Sequence, residues 1–160
     1  MRKTELLQLI IAALQVDLDN ALRAARTAHE TATHEENVAE NKYDTLGLEA
    51  AYLAAGQSRR AEELRQALAA YRSLVLRPFD EARGVQLGAW VTLADAQGVE
   101  QQFFLGPDGA GLKVRLAAQE VRVISPHAPL GQQLLGKGLG DEVQLGSGRQ
   151  AQTLELVHIE

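Results

Sequence analysis

The sequence contains no cysteine, which excludes disulfides, thiolate metal sites and a cysteine nucleophile. Aromatic residues are scarce, at 4% of the chain with Trp90 the single tryptophan. Proline and glycine are almost missing from the first half. All four prolines (Pro78, Pro107, Pro126, Pro129) lie at or beyond residue 78, as do all but two of the fourteen glycines, Gly47 and Gly56 being the exceptions. A long uninterrupted apolar run is lacking too. Met1-Arg-Lys before Leu6 to Val16 could mimic a signal peptide, but Glu5, Gln8 and Gln15 interrupt it and no cleavage site follows. The expectation is a cytoplasmic chain with no signal and no membrane partner. Excess positive charge is also absent. The net charge is −5, which argues against a bulk electrostatic grip on nucleic acid.

What is present divides the 160 residues into two parts of opposite class. Up to Arg77 the chain is rich in Ala, Leu, Glu, Gln and Arg, which are good helix formers. From Pro78 onward turn residues punctuate the sequence at the spacing of a small antiparallel sheet. Acids and bases nearly balance in the first part, eleven against ten, whereas the second carries ten acids against six bases. The expected domains are a helical finger over 1–77 and a sheet domain over 78–160.

Within the first part, Leu7, Ile11, Leu14, Leu18, Ala21, Ala25, Ala28 and Ala32 alternate in steps of four and three, a heptad seam. Leu64, Leu68, Tyr71 and Val75 repeat the alternation, and it extends backward through Ala61, Gln57, Ala54 and Ala50. Small residues of one arm can thus face small residues of the other, and bulky ones bulky ones. That matching taper predicts an intramolecular antiparallel pair with arms of about 45 Å for about thirty residues each. An ordinary bundle or a dimeric coiled coil shares the same periodicity.

Between the arms, Thr33 to Gly47 holds four carboxylates, Glu35, Glu36, Glu40 and Asp44. Acids gathered at the end of a slender finger suit a hard cation. Mg²⁺ takes one or two carboxylates and keeps water or phosphate as its other ligands, so a partner could complete the site. Glu36, Glu40 and Asp44 are spaced by four and would share one face of a helix. Solvated charges at an exposed turn are the alternative. His29 and His34, five apart, lack helical metal-ligand spacing and read as surface residues. Arg59 and Arg60 could meet phosphates or simply pair with Glu62 and Glu63.

In the second part, Val85, Leu87, Ala89, Val91 and Leu93 alternate as a half-buried strand. Further strands are expected at Val99–Leu105, Leu112–Leu116, Val121–Ile124, Glu142–Leu145 and Thr153–Ile159, with one helix at Leu130–Leu135. Gly131 to Lys137 has the spacing of a phosphate loop, but Gly138 stands where Ser or Thr would hold Mg²⁺, and the leucines between read as a core-facing helix. Aromatics are few here, Phe79, Trp90, Phe103 and Phe104. His127 and His158 have no nucleophile nearby in sequence and read as structural; no catalytic triad is visible.

The segment Val121 to Val143, with Ser125-Pro126, Gly131, Leu134-Leu-Gly-Lys137 and Gly140-Asp141 before a strand, resembles the C-terminal domain of the GreA/GreB transcript-cleavage factors. Gly88, Ala89, Val91 and Leu93 are similar to the strand that opens that domain. The resemblance implies an α+β protein: an N-terminal antiparallel coiled-coil hairpin followed by an FKBP-like antiparallel sheet domain with one short helix. It also implies a monomeric accessory factor of bacterial RNA polymerase, with Pro126 to Lys137 as a docking region. By that resemblance the finger enters the secondary channel and comes near the nascent RNA. Glu40 and Asp44, with Glu36 in reserve, would supply carboxylates to a Mg²⁺ shared with the polymerase, which itself cuts the transcript. In the family pattern the two acids are three apart. Matching Glu40-Asn41 to its Glu-Asn puts the other acid's place on Asn37, whereas aligning from the second helix selects Glu40 and Asp44, four apart. Two alternatives stand beside this reading: a channel-binding regulator without cleavage activity, and a coiled-coil interaction protein unrelated to polymerase.

Overall fold

The computed structural model describes residues 2–38 and 46–160, and the side chains of 2–33 and 48–160. Two helices come first, α1 (Arg2–Val38) and α2 (Leu46–Arg72). They are followed by β1 (Trp90–Ala94), β2 (Glu100–Leu105), β3 (Lys113–Leu116), β4 (Gln119–Ile124), α3 (Pro129–Leu134), β5 (Glu142–Leu145) and β6 (Gln152–Ile159), with a 3-10 turn at Gly148–Gln150 before β6. The chain forms two compact units, Ala13–Leu68 and Met1–Ala12 with Ala69–Glu160.

In the helical unit, Leu14, Leu18, Ala21, Ala28 and Ala32 are buried on α1, and Ala54, Ala61, Leu64, Ala67 and Leu68 on α2. The expected seam holds from Leu14 outward. Closer to the chain start it is corrected: Leu6 and Ile10 are fully buried, whereas Leu7 and Ile11 are half-buried. From Leu18 back to Leu6 the buried positions step by four. Each step overshoots a 3.6-residue turn by about 40°, so the buried stripe rotates around the helix. Leu6 and Ile10 fall in the unit that also holds the sheet, not in the helical unit of Leu14 and Leu18. Val75 is also corrected: α2 stops at Arg72, and Val75, beyond it, is 65% exposed.

The sheet has six strands in the order β3-β4-β2-β1-β6-β5. Four neighbouring pairs are antiparallel. β2 and β4 run parallel, in register from Gln102↔Val121 to Leu105↔Ile124, so the sheet is mixed where a purely antiparallel one was expected. The reason is topological. After β2 the chain crosses to the outermost position, forms β3, and returns through a two-residue turn to lay β4 against β2. Strand alternation sends Val91, Leu93, Phe103, Leu105, Leu154 and Leu156 to one face, where Leu130 and Leu134 of α3 cover them. On the opposite face Tyr71 stacks on Phe104, with ring centroids 6.5 Å apart, and the Arg2 guanidinium lies 4.9 Å from the Trp90 ring centre.

The expected strand from Val85 to Leu93 begins only at Trp90. Gly88 has φ +90°, and Ala89 N–H donates to Gln86 C=O at 3.0 Å, so the chain turns before β1. Leu87 consequently lies 41% exposed, not inward. Val85 is buried all the same, because its N–H and C=O bond Lys137 and Gly136.

Candidate functional site

The acids singled out by sequence lie, in chain order, between the described parts of α1 and α2 or in the last turn of α1. Glu35 and Glu36 lie within the last turn of α1, although their side chains are outside the described residues; Glu40 and Asp44 lie wholly outside them. The described flanks are continuous helix up to Val38 and from Leu46. Here the arms touch through alanines: Ala28, Ala32 and Ala54 are buried. Between the arms a cleft of about 400 Å³ is lined by Ala25, His29, Ala32, Ala51, Ala54 and Ser58 among others. Small side chains let two helices approach closely, but they fill little volume. His29 is exposed, in keeping with a surface residue.

Farther along α2, Arg60 pairs with Glu63 at 3.7 Å. Glu62 takes Arg65 at 3.4 Å instead of Arg59. Arg59 is exposed and has no ion-pair partner among the described residues. Surface pairs of this kind contribute little stability.

The second candidate region, Pro126 to Lys137, is built around Ser125. Its hydroxyl oxygen accepts from His127 N–H at 3.1 Å, and its carbonyl accepts from Ala128 N–H at 3.1 Å. Pro129 then opens α3 at a position where the missing N–H costs nothing. Gly131 sits inside α3, where any Cβ would overlap the Ser125 carbonyl. Its role is therefore close packing, and the phosphate-loop spacing is coincidental: the leucines between point into the core or to solvent. Leu130 and Leu134 are buried, while Leu135 is 42% and Leu139 58% exposed. His127 and His158 are both exposed, so neither serves as a core residue.

Sequence reasoning missed Gln133. Its amide donates to Gln144 C=O and accepts from Gln144 N–H, each at 2.8 Å. The side chain thus behaves as a short piece of strand on the free edge of β5. Nothing in its sequence neighbourhood signals this.

Among the described residues no group of three His, Cys, Asp or Glu could hold a metal, and no helix is long and apolar enough to cross a membrane. The fold and its described side chains thus define a two-part α+β protein, helical hairpin and six-stranded sheet domain. Residues 81–160 match the family model described as the C-terminal domain of the transcription elongation factors GreA/GreB. The chain belongs to the GreA/GreB family of transcription elongation factors. Solved structures similar to it include the GreA factor homolog 1 (Gfh1) protein of Thermus thermophilus, at 24% identity over 94% of each chain with a TM-score of 0.39. Gfh1 of Thermus aquaticus is 25% identical over 92% of each chain, with a TM-score of 0.38. A GreA/GreB elongation factor of Nitrosomonas europaea is 22% identical over 62% of this chain and 78% of that one, with a TM-score of 0.37. No curated protein matches the sequence.

Proposed function

We propose that this protein is an accessory factor of bacterial RNA polymerase that enters the secondary channel and stimulates the polymerase's own cleavage of backtracked transcripts. The observation that carries this reading is the family match over 81–160, joined to a helical hairpin whose connecting segment is acidic. In this reading the sheet domain docks on the polymerase through Pro126 to Lys137, where Leu135 presents exposed apolar surface, as does Leu139 just beyond it. The hairpin carries Glu40 and Asp44, with Glu36 in reserve, to the place where the transcript is cut.

The donor set fits Mg²⁺, which prefers carboxylate oxygens and tolerates a site completed by a second macromolecule. Bound there, Mg²⁺ would stabilise negative charge on phosphate oxygens and lower the pKa of a coordinated water. The protein's own task is to hold carboxylates at that position and to accept a proton or hydrogen bond from the attacking water. It lends these groups to the polymerase and is no nuclease alone.

The test is RNA release from a stalled, backtracked transcription complex, with the protein and with its Glu40→Ala and Asp44→Ala variants. Mg²⁺-dependent shortening of the transcript, slowed at least tenfold by either substitution, is expected. Absence of shortening, together with competition against a cleavage-competent Gre factor, would instead make this a channel-binding regulator. Failure to bind polymerase at all would overturn the whole reading.

A further inference from the structure

The two outer strands of the sheet are treated differently. On β5 the outward N–H and C=O of Gln144 are both taken by the Gln133 amide at 2.8 Å. On β3, at the other edge, no such cap exists among the described residues. The direction of its free groups follows from the ladder. Val123 donates to Leu112 C=O at 2.8 Å and accepts from Gly111 N–H at 2.9 Å, and Val114 and Leu116 stand opposite Val121 and Gln119. By strand alternation the backbone groups of Lys113 and Arg115 therefore point outward, away from β4.

The side chains at this edge add a second constraint. Lys113 and Arg115 are exposed, and both project from the same face. Arg122 stands directly across from Lys113 on β4 and is exposed as well. None of the three has an ion-pair partner among the described residues. Glu120 stands opposite Arg115 on β4, and β3 itself has no acid. This is a local cationic edge on a chain of net charge −5. Between Lys113 and Arg115 lies Val114, 7% exposed and turned to the other face.

We propose that β3 is a docking edge for an extended acidic segment of a partner protein, which adds as a seventh strand. A strand paired there places two residues, two apart, directly opposite Lys113 and Arg115, at the separation where opposite charges attract and like charges repel. The residue between them faces the side of Val114. The edge therefore selects an acid–apolar–acid pattern. A second copy of this chain is rejected, because antiparallel pairing of β3 with itself sets Lys113 against Arg115. Backbone hydrogen bonds supply affinity and the alternate side chains supply selectivity, as in other strand-addition interfaces.

The test uses the full chain and a short fluorescein-labelled peptide alternating glutamate and valine, followed by anisotropy at low and moderate salt. Binding that weakens with salt is expected, with amide shifts at Lys113 and Arg115 by NMR. Lys113→Glu with Arg115→Glu should weaken it at least tenfold. Arg26→Glu with Arg149→Glu, an equal change of net charge elsewhere, should leave it within twofold. Unchanged Trp90 emission confirms that each variant is folded. Equal binding of a lysine–valine peptide, no binding of the acidic peptide, or unchanged affinity in the β3 variant would each overturn the proposal. So would a uridine oligonucleotide that shifts the same amides while the acidic peptide does not, which would assign the edge to nucleic acid.

Discussion

Gly106 should not accept a side chain without loss of stability, although its φ is not in the left-handed region. A Cβ built at Gly106 overlaps the Tyr71 hydroxyl, lies 2.9 Å from Tyr71 Cζ and 3.2 Å from Val123 Cγ1. Tyr71 cannot easily give way. It is fully buried, its hydroxyl donates to the Asp108 carbonyl, and its ring rests on Phe104. Gly106→Ala must therefore overpack this site, at about 1–3 kcal/mol, and also displace the hydroxyl from its acceptor, at about 1 kcal/mol more. At the upper end of that range, which the close overlap with a buried ring favours, the total is about 4 kcal/mol. Tyr71→Phe alone loses the hydrogen bond and costs about 1 kcal/mol. The two changes must not add. Removing the hydroxyl takes away the worst overlap and leaves the Cζ and Val123 contacts, so the double variant should lose about 3 kcal/mol, a coupling of about 2 kcal/mol. Urea unfolding followed by Trp90 emission measures this, because Trp90 is the one tryptophan and lies in β1. Additive losses would refute the argument, since they would mean that the hydroxyl is not what the methyl meets.

Tyr71 also makes an alkaline prediction. Burial first, and the Asp108 carboxylate second, push its phenol well above the ordinary value. The unfolded chain ionises near pH 10 while the folded one holds its proton, so the stabilisation is intact below pH 10 and is lost above it. The loss is about 1.4 kcal/mol per pH unit. Lys3, lowered chiefly by burial, acts with the opposite sign, so the readout is the wild type compared with Tyr71→Phe in urea unfolding at pH 9 to 11. In the β3–β4 turn, Ala117 and Ala118 have φ of +52° and +67°, a two-residue hairpin loop that favours Asn-Gly. Ala117→Asn with Ala118→Gly should raise stability by about 1–2 kcal/mol in the same assay. Gln133→Ala should lose about 1–2 kcal/mol, as two hydrogen bonds go to water, and hydrogen exchange at Gln144 should speed up.

How much was legible in the sequence depends on the range of the interaction concerned. The helical seam from Leu14 to Ala32 could be read because a helix repeats its own geometry, so burial on one side fixes a period. The same rule failed at Leu7 and Ile11, which lie outside the helical unit, where the buried positions are Leu6 and Ile10 instead. β2 to β6 could be placed because turn residues bracket them. Val85 to Leu93 was misjudged because alternation looks the same whether or not Gly88 takes a positive φ and turns the chain. The parallel pairing of β2 with β4 leaves no local mark, since it follows from where β3 is placed. As for the candidate site, the acids Glu36, Glu40 and Asp44 could be named from composition between two helical patterns, but their register could not, because charged turn residues carry no periodic signal.

By itself the sequence determined that this protein has a helical first half and a sheet-forming second half, that it has no thiol chemistry, and that four carboxylates fall between its two helical patterns. Each follows from residue type and spacing over a few turns or strands. Only the tertiary structure decided that Tyr71 belongs against Phe104, that Gly106 and Gly131 must lack side chains, and that Gln133 closes one sheet edge while β3 stays open. These depend on atoms brought together from distant parts of the chain, and close packing lets a single methyl or hydroxyl decide the outcome.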